Sequence, residues 1–117
     1  MTCSLQHLIR AMDIWEVELT DATGNETLGR RPAVVMAVHT QTEMYMVVPL
    51  TSNMDANRFP NTCDIPRSTR NQLYMESVAM IFQMRCLCQD RFIHKIGILE
   101  KTHFDRIGTL IKNFLQL

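Results

Sequence analysis

Two adjacent arginines, Arg30 and Arg31, stand directly before Pro32 and an apolar run, and their chemistry suits a phosphate group. A guanidinium is planar, permanently charged and matches two phosphate oxygens at once. Because a residue that precedes proline favours extended backbone, Arg31 is expected at the mouth of a strand and not inside a helix. The loop ahead of it carries Glu26, which could orient an arginine or pair with it. The pattern thus has two interpretations, a phosphate site and a solvated ion pair on a surface loop.

A second polar group follows the next apolar run, where "VVPLTSN" places Thr51, Ser52 and Asn53 at the end of a strand. If the two strands pair through the short connection at 39–43, the hairpin folds back on itself and its far ends become neighbours. Arg31 and Thr51 lie at those far ends, at similar distances from the turn. A guanidinium beside a hydroxyl could surround one phosphate, which strengthens the first interpretation.

Apolar runs of strand length recur about every ten residues through most of the chain. The predicted strands cover 14–19, 32–38, 44–50, 62–65 and 76–87. The second and third are continuously apolar, as in buried central strands, and the fourth ends at a proline, as at a sheet edge. The last is long enough to bend around a barrel. This spacing predicts a β-rich α+β domain built on a small antiparallel barrel or a strongly coiled sheet.

The tail has the period of a helix. Thr102 and Asp105 stand three residues apart, which is the spacing of a capping box. An apolar stripe follows at helical spacing, formed by Phe104, Ile107, Ile111, Phe114 and Leu115. We expect the stripe to pack on the sheet.

Length, charge and cysteine content narrow the class of protein. A chain of 117 residues forms one domain with a single core. Its formal charge is zero, but residues 56–95 hold six Lys or Arg against three acids, enough for one basic face. The four cysteines and four histidines lack the spacing of a disulfide framework or a metal site. We therefore expect reduced cysteines, no metal, no membrane span and a cytoplasmic location.

Five stretches of the chain together resemble the MazF/PemK family of toxins from bacterial toxin–antitoxin pairs. The loop "GNETLGRRP" keeps the length, both glycines, the glutamate and the Arg-Pro end of the family's motif. The other four follow in the family's order, and they are "MDIWEVEL", "VVPLTSN", "ESVAMIFQMRCL" and "KIGILEKTHFDRI". The resemblance extends from about Met12 to Leu115.

The resemblance implies a fold and an activity. The fold is a single toxin domain with an SH3-like barrel over 12–100, a C-terminal helix over 101–117 and an N-terminal extension over 1–11. The domain is expected to form a homodimer and to bind a cognate antitoxin. The implied activity is endoribonuclease cleavage of single-stranded RNA through a 2′,3′-cyclic phosphate, without a metal or other cofactor.

The resemblance also distributes roles among the residues. Arg31 and Thr51 carry the chemistry in this family, and Glu26 has a catalytic or supporting part. Because arginine is a poor base near neutral pH, we expect Arg31 to clamp the phosphate and to be a candidate proton donor. Thr51 is expected to donate a hydrogen bond, and Glu26 or water to act as the base. The residues expected to contact RNA are Arg30, Asn25, Ser52, Asn53, Arg58, Gln83 and Arg85.

Further contacts to RNA are open to two readings. Arg85 could equally be a structural ion-pair partner. Arg58, Arg67 and Arg70 could contact successive phosphates of the RNA backbone. Bases could stack on Phe59, Tyr74 or Phe92, although Phe59 and Phe92 are equally compatible with the core.

Four positions depart from the family pattern. Met12 stands where glycine is usual, Asn25 replaces serine and Thr27 replaces glutamine. Phe82 occupies a position that usually carries an acid, and this loss could change the base or lower the rate. Two alternatives therefore remain beside an active nuclease. One is a non-nucleolytic interaction module, like the gyrase-poisoning toxin of the same fold, and the other is a weakened toxin that still binds its antitoxin.

Overall fold

Seven β-strands and one α-helix make up the fold in residues 8–19 and 29–117, the residues that this computed structural model describes. Their bounds are β1 Asp13–Leu19, β2 Gly29–His39, β3 Met44–Thr51, β4 Thr62–Ile65, β5 Ser77–Met80, β6 Arg85–Cys88, β7 Phe92–Ile98 and α1 Lys101–Leu115. The strands form one sheet in the order β4-β5-β3-β2-β1-β7, with β6 paired to the first half of β3. All of these pairings are antiparallel, so the predicted small barrel is a curled antiparallel half-barrel.

The central strands are buried on both faces, which explains their continuous apolar runs. Val34 and Val48 face a helix-side core, which also contains Ile107 of α1. Val35 and Val47 face the other side of the sheet, where they belong to an opposite core. The helix-side core comprises Ile14, Val34, Val48, Leu50, Cys63, Ile65, Leu73, Ala79, Ile81, Leu99 and Ile107. The opposite core comprises Ile9, Trp15, Val17, Leu19, Ala33, Val35, Tyr45, Val47, Leu87 and Phe92.

The prediction of one long strand over 76–87 is wrong, because a 3₁₀ turn at Ile81–Gln83 divides this segment into β5 and β6. Both pieces pair with β3. Leu50 lies opposite Ala79 and Val47 lies opposite Arg85. The segment therefore advances six positions while β3 advances three, which leaves three extra residues. The extra residues form a protrusion that buries Ile81 in the helix-side core and leaves Phe82 38% exposed.

The capping box predicted at the start of α1 is also wrong. The helix is preceded by Glu100 as its N-cap, and Thr102 lies inside its first turn. Asp105 instead forms an ion pair with Lys101 one turn earlier, at 3.3 Å. The buried Leu99 anchors the chain just before this point, so the core and not the local capping signal sets where the helix begins.

The apolar stripe of α1 is buried over its first turns only. Ile107 is fully buried, and Phe104 and Ile111 pack against the helix-side core. Phe114 and Leu115 remain 41% and 50% exposed. Within the described residues, no helix is long and apolar enough to cross a membrane.

Met12, just before β1, adopts a backbone conformation that favours glycine. Its φ is 79°, in the left-handed region where a side chain is strained. Its amide donates to the Val35 carbonyl and its carbonyl accepts from the Leu99 amide, both at 2.8 Å. Met12 thereby connects the beginning of β1 to β2 and to the junction between β7 and α1. This geometry accounts physically for the glycine that the family usually has here.

Glu100 connects α1 to the β4–β5 loop, residues 66–76. Its carboxylate accepts hydrogen bonds from the Ser68 hydroxyl and, at 3.3 Å, from the Asn71 side-chain amide. Burial by itself raises the pKa of Glu100. The hydrogen bonds from Ser68, the backbone and Asn71, together with nearby His103, outweigh burial and hold that pKa below its ordinary value.

Replacement of Glu100 by glutamine should cost about 1 kcal/mol of unfolding free energy at pH 7, because it removes charge-assisted hydrogen bonds. A carboxyl group with a lowered pKa in the folded state stabilises the fold above its unfolded pKa, and this contribution disappears as pH falls through the folded pKa. The difference between wild type and Glu100→Gln should therefore be fully present at neutral pH and shrink as pH falls below the ordinary pKa of a glutamate side chain. Urea unfolding across this pH range measures it. Asp90→Asn removes an exposed carboxylate and should change stability little at any pH; equal losses in both variants would contradict the prediction.

Candidate active site

The pairing of β2 with β3 creates the site. The hairpin turns at residues 40–43, as expected from the sequence, and a bulge lies between Val35 and Ala37. Beyond the bulge the register continues regularly as far as Ala33, which lies opposite Pro49. Beyond Pro49, β3 pairs with β5 instead, Leu50 with Ala79 and Thr51 with Val78. Arg31 of β2 and Thr51 of β3 both belong to the hairpin end that is farthest from the turn.

Arg31 lines a pocket of about 280 Å³. Ser52 contributes from the end of β3, and Leu73, Tyr74 and Met75 contribute from the β4–β5 loop. Gly29, two residues before Arg31, has a φ of 82°, so glycine suits the chain where it enters β2. The pocket thus combines a permanent cation with a hydroxyl and apolar walls.

Thr51 is nearly buried and its side chain has a defined orientation. It pairs with Val78 of β5, and its hydroxyl oxygen accepts a hydrogen bond of 3.1 Å from the Asn53 amide. A hydroxyl that accepts one hydrogen bond can still donate its own proton. Thr51 therefore has the geometry of an oriented hydrogen-bond donor at the end of β3.

Arg30 lines the same pocket, but its charge is shared with β1. Its Nε lies 3.2 Å from Oε1 of Glu18, the residue opposite it across the β1–β2 pair. The Arg30 side chain is 64% exposed, so the ion pair adds little to stability. The Arg30 part of this motif is thus a surface ion pair, with Glu18 as its partner.

Several other residues predicted to bind RNA have local contacts. The Asn53 side chain accepts from the Asp55 amide at 3.1 Å and caps the short 3₁₀ turn Met54–Arg58. Arg85 donates to the Gln83 side-chain oxygen at 3.1 Å, which places these two polar groups together. Ser52 is exposed and lines the pocket. Asn25 and Glu26 fall in 20–28, outside the described residues.

An aromatic cluster occupies the position where the family usually has an acid. The Phe82 ring lies 6.3 Å from the Phe59 ring, edge to face, and the Arg58 guanidinium lies 4.9 Å from the Phe59 ring centre. Phe59 is 47% exposed, whereas Phe92 is buried in the opposite core against Trp15 and Tyr45. Of the three aromatic residues considered for base stacking, only Phe92 is therefore a core residue.

The β4–β5 loop is positioned by Asn71, a residue that sequence reasoning missed. Asn71 is fully buried, and its side-chain oxygen accepts from the amides of Ser68 and Leu73. Its side-chain amide donates to the Pro66 carbonyl at 2.9 Å as well as to Glu100. The Ser68–Asn71 spacing of three residues is the one available signal in the sequence, since a polar loop otherwise looks exposed.

Gly97 of β7 allows this loop to approach the sheet. A Cβ atom at Gly97 would lie 2.3 Å from the Asn71 carbonyl oxygen, a distance that no side chain tolerates. The amide of the next residue, Ile98, donates to the Arg70 carbonyl at 3.1 Å. Gly97 therefore fixes the β4–β5 loop, and with it one wall of the pocket.

The fold and the site together define a class of protein. A family model for PemK-like, MazF-like toxins of type II toxin–antitoxin systems matches residues 10–115. The chain therefore belongs to this toxin family, as the sequence motifs predict.

Individual relatives agree with this assignment. The chain is 30% identical over 118 residues to endoribonuclease MazF9 of Mycobacterium tuberculosis (strain ATCC 25618 / H37Rv), covering 94% of this chain and 98% of the relative. The crystal structure of MazF from Deinococcus radiodurans matches with a TM-score of 0.78 at 21% identity, over 92% of this chain and 96% of that one. An endoribonuclease from a mycobacterial species, in complex with its cognate antitoxin, matches with a TM-score of 0.71 at 14% identity, over 92% and 94%. These structural likenesses confirm the fold.

Gly97→Ala should destabilise the protein by about 2–4 kcal/mol, because the new methyl group overlaps the backbone of the β4–β5 loop. Gly108→Ala provides the matched control. A Cβ atom there meets nothing within 4 Å, and alanine should stabilise α1 by about 0.5–1 kcal/mol. Urea unfolding of both variants measures the opposite signs, and a Gly97→Ala protein as stable as wild type would disprove the close approach.

Proposed function

We propose that this toxin is a metal-independent endoribonuclease that cleaves single-stranded RNA. In this proposal Arg31 and Thr51 act on the phosphate that is cut. The observation that supports the proposal is that Arg31 and Thr51 belong to the same end of the β2–β3 hairpin, where Arg31 and Ser52 line a pocket. The identity to a relative named as an endoribonuclease supports the same activity.

The proposed reaction uses the RNA's own hydroxyl as the nucleophile. The ribose 2′-oxygen attacks the adjacent phosphorus, the bond to the 5′-oxygen breaks, and the products are a 2′,3′-cyclic phosphate and a 5′-hydroxyl end. Negative charge develops on the non-bridging oxygens, where the Arg31 guanidinium and the Thr51 hydroxyl can stabilise it. Glu26 or water takes the proton from the 2′-hydroxyl, because arginine is a poor base near neutral pH, and Arg31 or water supplies the proton that the departing 5′-oxygen takes up.

A catalytically weakened toxin is the second candidate, and one observation favours it. Phe82 replaces a carboxylate that some family members use, and its ring packs against Phe59. The position therefore offers apolar surface where a base or a proton donor would otherwise stand. Such a toxin would keep its antitoxin-binding surface and cleave slowly.

RNA binding outside the pocket is assigned to the basic part of the chain. Arg58, Arg67 and Arg70 are exposed and lie in the segments after β3 and β4. Exposed arginines can contact successive phosphates with an affinity that falls as salt rises. Gln83 and Arg85, on the segment between β5 and β6, are also proposed to contact RNA. Asn25 and Arg30 are proposed to contact it from the loop that precedes β2.

The antitoxin is the proposed protein partner, in the cytoplasm, where RNA is also present. A solved relative is bound to its cognate antitoxin. The basic balance of residues 56–95 suits an acidic, flexible segment that folds on binding. Pull-down with an acidic antitoxin segment tests this, and binding that is insensitive to salt would argue against a charged contact.

A homodimer is proposed from the exposed apolar end of α1. Phe114 and Leu115 of α1 and Leu117 just after it are 41%, 50% and 85% exposed, and large apolar side chains exposed near one another are candidates for an interface. Sedimentation of the chain as a monomer at micromolar concentration would contradict this proposal.

The cleavage proposal predicts that Arg31→Ala loses activity by about 100-fold or more on a long unstructured RNA in EDTA, because a fixed donor to the phosphate is removed. Arg30→Ala is the matched control. It removes the neighbouring arginine, whose Nε already contacts Glu18, and should reduce cleavage far less. Wild-type fragments should carry 5′-hydroxyl ends.

Two results would redirect the proposal. Equal rates for Arg31→Ala and wild type would remove Arg31 from the mechanism. Intact RNA with the wild-type protein would favour the weakened toxin, and Phe82→Glu should then restore cleavage.

A further inference from the structure

We propose that Tyr74 and Met75 form a nucleobase-binding subsite for a nucleotide next to the phosphate held by Arg31. The inference rests on the proposed function, because it takes the pocket beside Arg31 to be an RNA site. It adds the part of the substrate that this pocket recognises, namely an unpaired base.

The first observation is a strongly exposed aromatic ring at the edge of the pocket. Tyr74 is 89% exposed, the highest value for a large apolar side chain among the described residues, and Met75 is 51% exposed. Leu73, the residue directly before Tyr74, is buried at 6% exposure. The chain is thus anchored on one side and presents two apolar side chains on the other.

The second observation is that the backbone under Tyr74 is fixed. The Tyr74 carbonyl accepts from the Arg67 guanidinium at 3.4 Å, and the Met75 carbonyl accepts from the Ser77 hydroxyl at 3.0 Å. The Leu73 amide donates to the buried Asn71 side chain at 3.0 Å. A ring on such a backbone can stack on a ligand with little loss of conformational freedom.

The third observation is the composition of the pocket. Tyr74, Met75, Leu73 and Leu50 provide its apolar surface, while Arg31 and Ser52 provide charge and a hydroxyl. Its volume of about 280 Å³ lies at the small end for ligand pockets, which suits a single flat group. Aromatic rings stack on any base, and the methionine sulfur makes favourable contacts with aromatic rings.

A nucleotide is the ligand that satisfies both halves of the pocket. Its phosphate is an anion that a guanidinium binds, and its base is a flat aromatic group joined to that phosphate through one sugar. An acidic side chain of a peptide could contact Arg31, but it offers no flat group to stack on the exposed ring. The favoured ligand is therefore single-stranded RNA, with the base of one nucleotide against Tyr74.

The test is binding of single-stranded oligonucleotides that cannot be cleaved. Fluorescent decamers of 2′-fluoro adenosine, cytidine or uridine lack the attacking hydroxyl, and a decamer of abasic sugars supplies the same backbone without bases. Tyr74→Ala should bind the base-containing decamers roughly tenfold more weakly than wild type. Tyr74→Phe keeps the stacking surface and should bind within about twofold of wild type. Leu8→Ala, at an exposed apolar residue outside the pocket, should bind as wild type does.

The abasic decamer separates stacking from a structural effect. If Tyr74 contacts a base, wild type and Tyr74→Ala should bind the abasic decamer equally. An equal loss for abasic and base-containing decamers would overturn the proposal, as would a Tyr74→Ala variant with unchanged affinity for all of them. Loss of binding to an acidic antitoxin segment alone would also overturn it and make this surface a protein-binding one.

Cleavage mapping distinguishes this proposal from the proposed function. Sequencing of 5′ ends from a long RNA at limiting enzyme should show that Tyr74→Ala cuts the wild-type sites with lower yield, because stacking adds affinity for any base. If wild type cleaves nothing but still binds decamers in a Tyr74-dependent way, the nuclease assignment fails and the base subsite stands. If wild type cleaves and Tyr74→Ala has the same cut profile and affinity, the subsite fails and the nuclease assignment stands.

Discussion

The register between β2 and β3 is the constraint on which the site depends. Both strands are buried on both faces, so Val34 and Val48 belong to one core while Val35 and Val47 belong to the other. A slip of one residue in either strand would exchange its two faces and misplace its side chains in both cores. The packing energy of the sheet interior therefore also determines where Arg31 stands relative to the end of β3. The same packing that stabilises the sheet thus also positions the residues proposed for catalysis.

The opposite wall of the pocket is built by polar contacts. Asn71, buried among the β4–β5 loop, α1 and β7, satisfies backbone groups that would otherwise be unpaired inside the protein. Gly97 supplies the space for it. A loop held in this way can present large exposed side chains without moving, which is the condition for selective contacts to a flexible strand of RNA. The site thus joins a hydrophobically fixed hairpin to a hydrogen-bonded loop.

Periodicity and turn chemistry predicted most of the elements. The runs at 14–19, 32–38, 44–50 and 62–65 are strands, and the tail is a helix, because burial imposes its period on the sequence. The break at Ile81–Gln83 escaped prediction, since an apolar run does not reveal that part of it turns away from the sheet. Asn71 escaped because burial of a polar side chain depends on partners far along the chain. Pairing rules predicted that Arg31 and Thr51 belong to the same end of one hairpin, as the strand bounds show, whereas the roles of Arg31, Thr51, Glu26 and Asn25 remain predictions.

The strained backbone of Met12 lies at a junction that local unfolding would have to separate. Its two hydrogen bonds hold β2 and the β7–α1 junction to the beginning of β1. The residue that makes them is itself strained, by an amount typically of order 1 kcal/mol. Strain in the folded state lowers the free-energy cost of separating that junction. Separation there would loosen α1 from the helix-side core, and two residues of that core, Leu50 and Leu73, also line the arginine pocket. The hold on α1 and the shape of the pocket are therefore linked through the same packed side chains.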